Sequence, residues 1–244
     1  MHRTRVDSND MSSDHKVANP ETLDRWLVRA AFALVVALQL SLINDFGYGP
    51  RRLAPFVEII LLVPLTVLTL RAEHLARNAG TTQQWESAKW YGRFNLVLGV
   101  VLVGIVTVAN GRSLLLLLRA LLGGATANGR TLLLDALNIW ATNVVVFSLW
   151  YWALDRGGPS LGDADHQGPP EFIFPQMTQA EIAVANAKPG FIDYVFLSFC
   201  TSTAFSPTDT MPLTARMKLL MMLESIVSLL TLALVAARAV NILA

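Results

Sequence analysis

The chain has 244 residues, of which 53% are hydrophobic and only 15% charged, with a mean hydropathy of +0.46. These values exclude an ordinary soluble domain and place the chain in the membrane class. With 19 Lys and Arg against 18 Asp and Glu there is no basic excess to suit nucleic acid, and the one cysteine, Cys200, excludes an internal disulfide framework.

Residues 1–25 are polar, carry no apolar stretch near the start and place Pro20 just before a helix pattern, which predicts a disordered cytoplasmic tail rather than a cleaved signal peptide. Apolar runs follow at 26–43, 55–70, 94–109, 132–153 and 217–243. A helix needs about 20 residues to cross roughly 30 Å of hydrocarbon, so the second and third runs must borrow flanking residues. Trp26, then Trp90 with Tyr91, then Trp150, Tyr151 and Trp152 stand at segment ends, where amphipathic rings favour the headgroup layer.

A sixth apolar piece, 113–124, is only about 18 Å long as a helix and carries Arg119. Topology turns on it. Six spans with the N-terminus inside place Arg3, Arg5, Lys16, Arg25, Arg71, Arg77, Lys89, Arg93, Arg130 and Arg238 inside, against Arg51, Arg52, Arg112, Arg156, Lys188, Arg216 and Lys218 outside. Five spans with the same orientation of the later segments reverse that bias, so the positive-inside tendency selects six. Residues 26–128 then hold three spans and a short fourth segment.

The connection over 154–190 is extracellular on this reading. It is acidic (Asp155, Asp163, Asp165, Glu171, Glu181) and rich in Gly and Pro, which suits either a plain solvated loop or a collar that concentrates cations. Next, Pro189-Gly190 breaks the chain, Asp193 offers a first-turn carboxylate, and 191–203 gives about three turns of helix, too short to span. Non-helical backbone at membrane depth must be buried in protein or line water, so a re-entrant loop over 204–210, supported by this half-helix, is the economical arrangement. A long apolar helix over 214–243 follows.

Thr201, Thr203, Asp209 and Pro212 fall where the pore loops of potassium-type channels, T-x-T-T-V-G-Y-G-D with a proline three residues on, have two threonines, the aspartate and the proline. The stretch from 191 to 240 therefore resembles the pore module of tetrameric P-loop cation channels. The final helix is similar to the inner helix of bacterial pore modules, with Arg216, Glu224, Ser228 at the position of a glycine often treated as a gating hinge, and Ala237-Arg238. The resemblance implies an all-α, multi-pass, six-span fold with a pore module at 129–244: outer helix 131–153, pore helix 191–203, filter-like loop 204–210 and inner helix 214–243. It also implies a homotetramer in the plasma membrane, the inner membrane of a bacterium, with cations as the partners.

Ala204, Phe205, Ser206, Pro207 and Thr208 replace the T-V-G-Y-G core. Pro207 fixes its own φ near −65° and pushes Ser206 toward extended geometry, so a glycine-dependent ladder of carbonyls does not form. Hydroxyls of Ser206 and Thr208, with Asp209 above and Thr203 below, remain as hard oxygen ligands for monovalent or divalent cations. The expectation is a weakly selective cation pore; a non-conducting scaffold with a vestigial loop and a secondary transporter are the alternatives.

Glu224, deep in the last span, is a functional candidate by default. It could form a carboxylate ring, relay protons, or hydrogen-bond to the half-helix through Ser198 or Thr201, the last being the favoured reading. Asp135, Asn138 and Thr142 share one helical face and predict interhelical hydrogen bonds, while Glu58 sits near enough to a span end to snorkel. The sequence 124–131 imitates a phosphate loop, but Arg130 replaces its lysine and no strand precedes it, so it reads as a helix breaker. The scattered His2, His15, His74 and His166 form no metal site with Cys200, no cofactor motif stands out, and nothing points to an enzyme.

Overall fold

A computed structural model of the chain describes residues 20–41, 67, 71, 82–122, 129–156, 169–178, 189–203 and 209–243. Its elements are α1 (Pro20–Leu40), α2 (Thr82–Leu122), α3 (Gly129–Arg156), β1 (Phe172–Ile173), the single turn α4 (Pro175–Thr178), α5 (Phe191–Thr203), β2 (Met211–Pro212) and α6 (Ala215–Leu243). Among the described residues, three helices are long and apolar enough to cross a bilayer: Trp90–Leu122, Arg130–Asp155 and Ala215–Ala237. The protein is therefore a helical membrane protein. Asp24, Arg25 and Arg29 crowd the first turns of α1, which keeps it out of that set.

Helix α3 is the central post, packed against α1, α2, α5 and α6. It presents buried residues on nearly every face, from Leu132 through Ile139, Asn143 and Phe147 to Tyr151 and Asp155, as a helix enclosed by others must. Its apolar positions join two clusters. One gathers Val28, Phe32 and Val35 of α1, Leu102, Val103 and Val106 of α2, and Tyr194 and Leu197 of α5 around Val146, Phe147 and Leu149. The other sets Leu114 and Leu117 of α2 against Leu132, Ala136 and Ile139, with Val227 and Leu234 of α6 alongside.

These contacts fix helix directions. Asn110 Nδ2 donates to the Ile139 carbonyl at 3.2 Å, while Asn95 and Gly99 share a cleft with Leu149 and Trp152, so α2 runs antiparallel to α3. Asn138 Nδ2 reaches the Leu38 carbonyl at 2.7 Å and the Ser41 hydroxyl at 2.5 Å, whereas Asp24 at the other end of α1 lies against Gly190 and Phe191. Thus α1, α2 and α6 all start at the end of the bundle where α3 finishes, here termed the loop end.

One expectation is corrected. The separate fourth segment at 113–124 does not exist as such, because α2 continues without a break for 41 residues, about 60 Å, through Asn110, Gly111 and Arg112 to Leu122. Asn110 satisfies its amide on α3 instead of breaking the helix, Ser113 Oγ folds back onto the Ala109 carbonyl at 3.0 Å, and a single helical glycine costs only about 1 kcal/mol. The start of α1 and the start of α5 meet at one end of the bundle, where the Phe191 N–H donates to Asp24 Oδ1 at 3.0 Å. Apart from Val67, the 55–70 run, Glu58 included, lies outside the described residues.

Packing around Ile139 generates a direct prediction. Ile139 is 1% exposed, whereas its neighbour Leu137 is 42% exposed on the outer face. Ile139→Ala is expected to cost about 2–4 kcal/mol of stability and Leu137→Ala less than about 1, measured by unfolding in mixed detergent micelles.

Candidate functional site

The site is built on α5. Its N-terminus is capped twice: Asp193 Oδ2 accepts the Gly190 N–H at 2.7 Å, and Asp24 Oδ1 of α1 accepts that of Phe191. The two carboxylates lie at the positive end of the helix dipole, each favourable by tenths to about 1 kcal/mol. Gly190 makes room for this: a Cβ there would stand 3.1 Å from Asp24 Oδ1. One turn on, the Tyr194 hydroxyl donates to Asp155 Oδ2 at 2.5 Å, while Asp155 Oδ1 accepts the Glu171 N–H at 2.5 Å and the Phe172 N–H at 3.3 Å. The end of α3, the strand β1 and the first turns of α5 are thereby joined through one buried carboxylate.

From the loop end α5 descends for 13 residues, about 20 Å, and stops near the midpoint of α3, where Phe199 meets the Trp140 ring edge-on and the Ser198 hydroxyl lies 2.7 Å from the Val144 carbonyl. Phe191, Tyr194, Leu197, Ser198 and Ser202 face the bundle, whereas Ile192, Phe196 and Phe199 are exposed. The chain is back at the loop end by β2, which pairs antiparallel with β1, Phe172 opposite Pro212 and Ile173 opposite Met211. The Leu213 N–H donates to the Glu171 carbonyl at 2.9 Å, and the Glu171 carboxylate takes the Thr214 hydroxyl and the Arg216 guanidinium. Descent and return are both anchored at one end of the bundle.

At the bottom of α5 stands Glu224, wholly buried on α6. The Ser198 and Ser202 hydroxyls lie 2.5 and 2.8 Å from its Oε1, and the Tyr151 hydroxyl of α3 donates to its Oε2. A turn below, Asn143 Nδ2 of α3 donates to the Ser228 hydroxyl at 2.9 Å and, at 3.4 Å, to the Glu224 carbonyl. Glu224, Ser228 and Thr231 recur at i, i+4 and i+7, giving α6 one polar seam, fully buried, on an otherwise apolar helix.

Of the sequence-predicted residues, Glu224 and Ser228 meet here, and Glu224 bonds the half-helix through Ser198 as expected. Its second serine partner is Ser202, not Thr201, whose hydroxyl turns back to the Leu197 carbonyl at 2.8 Å; that of Thr203 turns to Cys200 O at 3.1 Å. Asp209 is exposed above the site. Ala204, Phe205, Ser206, Pro207 and Thr208 lie outside the described residues. Asn138 and Thr142 make interhelical and local hydrogen bonds, the former to α1.

Tyr151, Asn143, Asp155 and Glu171 were not singled out as site residues from the sequence. Tyr151 and Trp152 are also a correction, since both are buried against protein rather than set in a headgroup belt, and Trp150 sends its Nε1 to Thr107 Oγ1 at 2.9 Å. Trp26 and Trp90, by contrast, are 66% and 61% exposed. No protein-family model, curated protein or solved structure matches the chain.

The carboxylate is expected to dominate the stability of this region. Glu224→Ala strands the buried Tyr151 and Ser202 hydroxyls, while Ser198 keeps the Val144 carbonyl, and should cost about 3–5 kcal/mol, Glu224→Gln, which keeps the volume and one acceptor, clearly less, and Tyr151→Phe about 1–2. Unfolding in mixed micelles, with protease nicking at 204–210 as the local readout, checks the order.

Proposed function

We propose that the chain is one subunit of a homotetrameric cation pore, in which α5 is a re-entrant half-helix, residues 204–210 approach the axis, and α6 lines the path below. The observation that carries this reading is the anchoring of α5. A helix of 13 residues that enters and returns at one end of the bundle, and is held at its foot by a fully buried carboxylate, is built to support non-helical backbone at mid-depth.

The resemblance of Thr201, Thr203, Asp209, Pro212 and the Glu224 helix to potassium-type pore modules points the same way. One loop cannot close a ring, so four copies are required. The outward faces suit such an assembly: Ile192, Phe196 and Phe199 on α5, and Leu219, Met222, Ile226 and Leu230 on α6, offer apolar surface to neighbours and to lipid. Side-chain oxygens of Ser206, Thr208 and Asp209 supply the ligands, and the absence of glycines from 204–208 accounts for weak, non-potassium-type selectivity. The membrane is the plasma membrane of a bacterium, as the resemblance to bacterial pore modules suggests.

Purified protein in planar bilayers under bi-ionic gradients tests the reading. Cation current is expected, and Asp209→Asn, by removing four carboxylates from the mouth, should lower unitary conductance roughly two- to tenfold at low salt and much less at high salt. Anion selectivity overturns the proposal. Silence from tetramers of verified mass moves the protein to the scaffold class.

A further inference from the structure

The helix directions reopen the question of which side the half-helix enters from. At the loop end the described elements carry Arg25, Arg29, Lys89, Arg93, Arg156, Arg216 and Lys218. To these belong Arg3, Arg5 and Lys16 of the segment joined to the start of α1, and Lys188 next to Pro189, eleven in all. At the far end stand Arg112, Arg119, Arg130 and Arg238, which is four. Arg51, Arg52, Arg71 and Arg77 lie in 42–81 and belong to neither count; assigning all four to the far end still leaves eleven against eight.

Basic residues flanking spans stay in the cytoplasm, while acidic ones, of which the loop end has several, weigh little in orientation. The same end has the aromatic marks of an interface. Trp90 is exposed, stacked on Phe94 with centroids 5.7 Å apart and edge-on to Tyr91, and the Arg29 guanidinium lies 5.2 Å from the centroid of the exposed Trp26 ring.

We infer that the loop end is the cytoplasmic end, so that α5 dips into the bilayer from the cytoplasm and the exposed Asp209 meets cytoplasmic cations and blockers first. The N-terminal segment, the β1–β2 pair and the Arg216–Glu171 ion pair are then cytoplasmic, and the foot of α6 is on the outside. Ser41 ends α1 at the far end, whereas α2 starts at the loop end, so the two helices run in the same direction. The inference deepens the re-entrant part of the pore reading, but it does not require conduction.

The test uses the full-length chain in bacterial cells, with Cys200→Ser as background. Gln176→Cys, on the exposed turn α4 beside β1, is expected to resist a membrane-impermeant maleimide in intact cells and to react after permeabilisation, at least tenfold more. A C-terminal fusion of a phosphatase active only outside the cytoplasm should be active. Labelling of Gln176→Cys in intact cells, or a silent phosphatase fusion on expressed protein, overturns the inference. A failed bilayer recording would bear on conduction alone, so the two proposals fall separately.

Discussion

The structure depends on one carboxylate in the middle of an apolar helix. Glu224 is wholly buried at a depth where an ionisable group has no water to turn to, and it is satisfied by hydroxyls from two other helices, Tyr151 of α3 and Ser198 and Ser202 of α5. A helix of 13 residues, as α5 is, is too short to hold its place by spanning a bilayer. Apolar packing against α3 and α6 orients it, but apolar contacts are non-directional and lipid competes for them. The hydroxyl–carboxylate contacts are directional, and they set both the depth and the rotation of α5.

The same logic is repeated at the loop end with different chemistry. Asp24, Asp155, Asp193 and Glu171 each use carboxylate oxygens to take backbone N–H groups or side-chain donors that would otherwise be orphaned where the chain leaves helix. Asp155 and Glu171, which the sequence reads as part of an acidic collar, are committed to structure; Asp209 is the exposed one among the described acids of the loop return. Buried hydrogen bonds to charged groups contribute more than neutral ones, roughly 1.5–3 kcal/mol each, so this cluster is a rigid rim rather than a flexible loop.

Much of this was legible in the sequence, and the failures have identifiable causes. The bounds of α5 were readable because Pro189-Gly190 and Asp193 start it and the apolar pattern runs out at Thr203. Glu224 was readable because a lone carboxylate in an apolar helix needs partners. Its second serine could have been chosen as well: Ser198 and Ser202 are four apart and share a face, while Thr201 is rotated about 60° from Ser198 and returns its hydroxyl to its own helix. Tyr151 was hidden by its neighbours, since three aromatics at a span end imitate a belt. The continuity of α2 was hidden because Asn110-Gly111-Arg112 looks like a loop until the Ile139 carbonyl that receives Asn110 is known. The two-residue pairing of β1 with β2 has no sequence pattern long enough to read.

The polar seam of α6 explains why the candidate pore and the outer framework should act as one body. Glu224 bonds to α5, and one turn further Ser228 bonds to Asn143 of α3, so α6 is tied to the half-helix and to the central post through adjacent turns. A hinge glycine at 228 would let α6 bend independently of α5; a serine engaged by a buried asparagine does not. Any displacement of α6 must therefore either carry α5 with it or break the serine contacts to Glu224, and the second course leaves the Ser202 hydroxyl buried without its acceptor and the carboxylate with Tyr151 alone. A motion that keeps the seam intact carries α3, α5 and α6 together, because Tyr151 and Asn143 of α3 bond to Glu224 and Ser228, and Asp155 and the Val144 carbonyl bond to Tyr194 and Ser198 of α5. A force applied to α6 is thus carried by α3, α5 and α6 as one hydrogen-bonded unit.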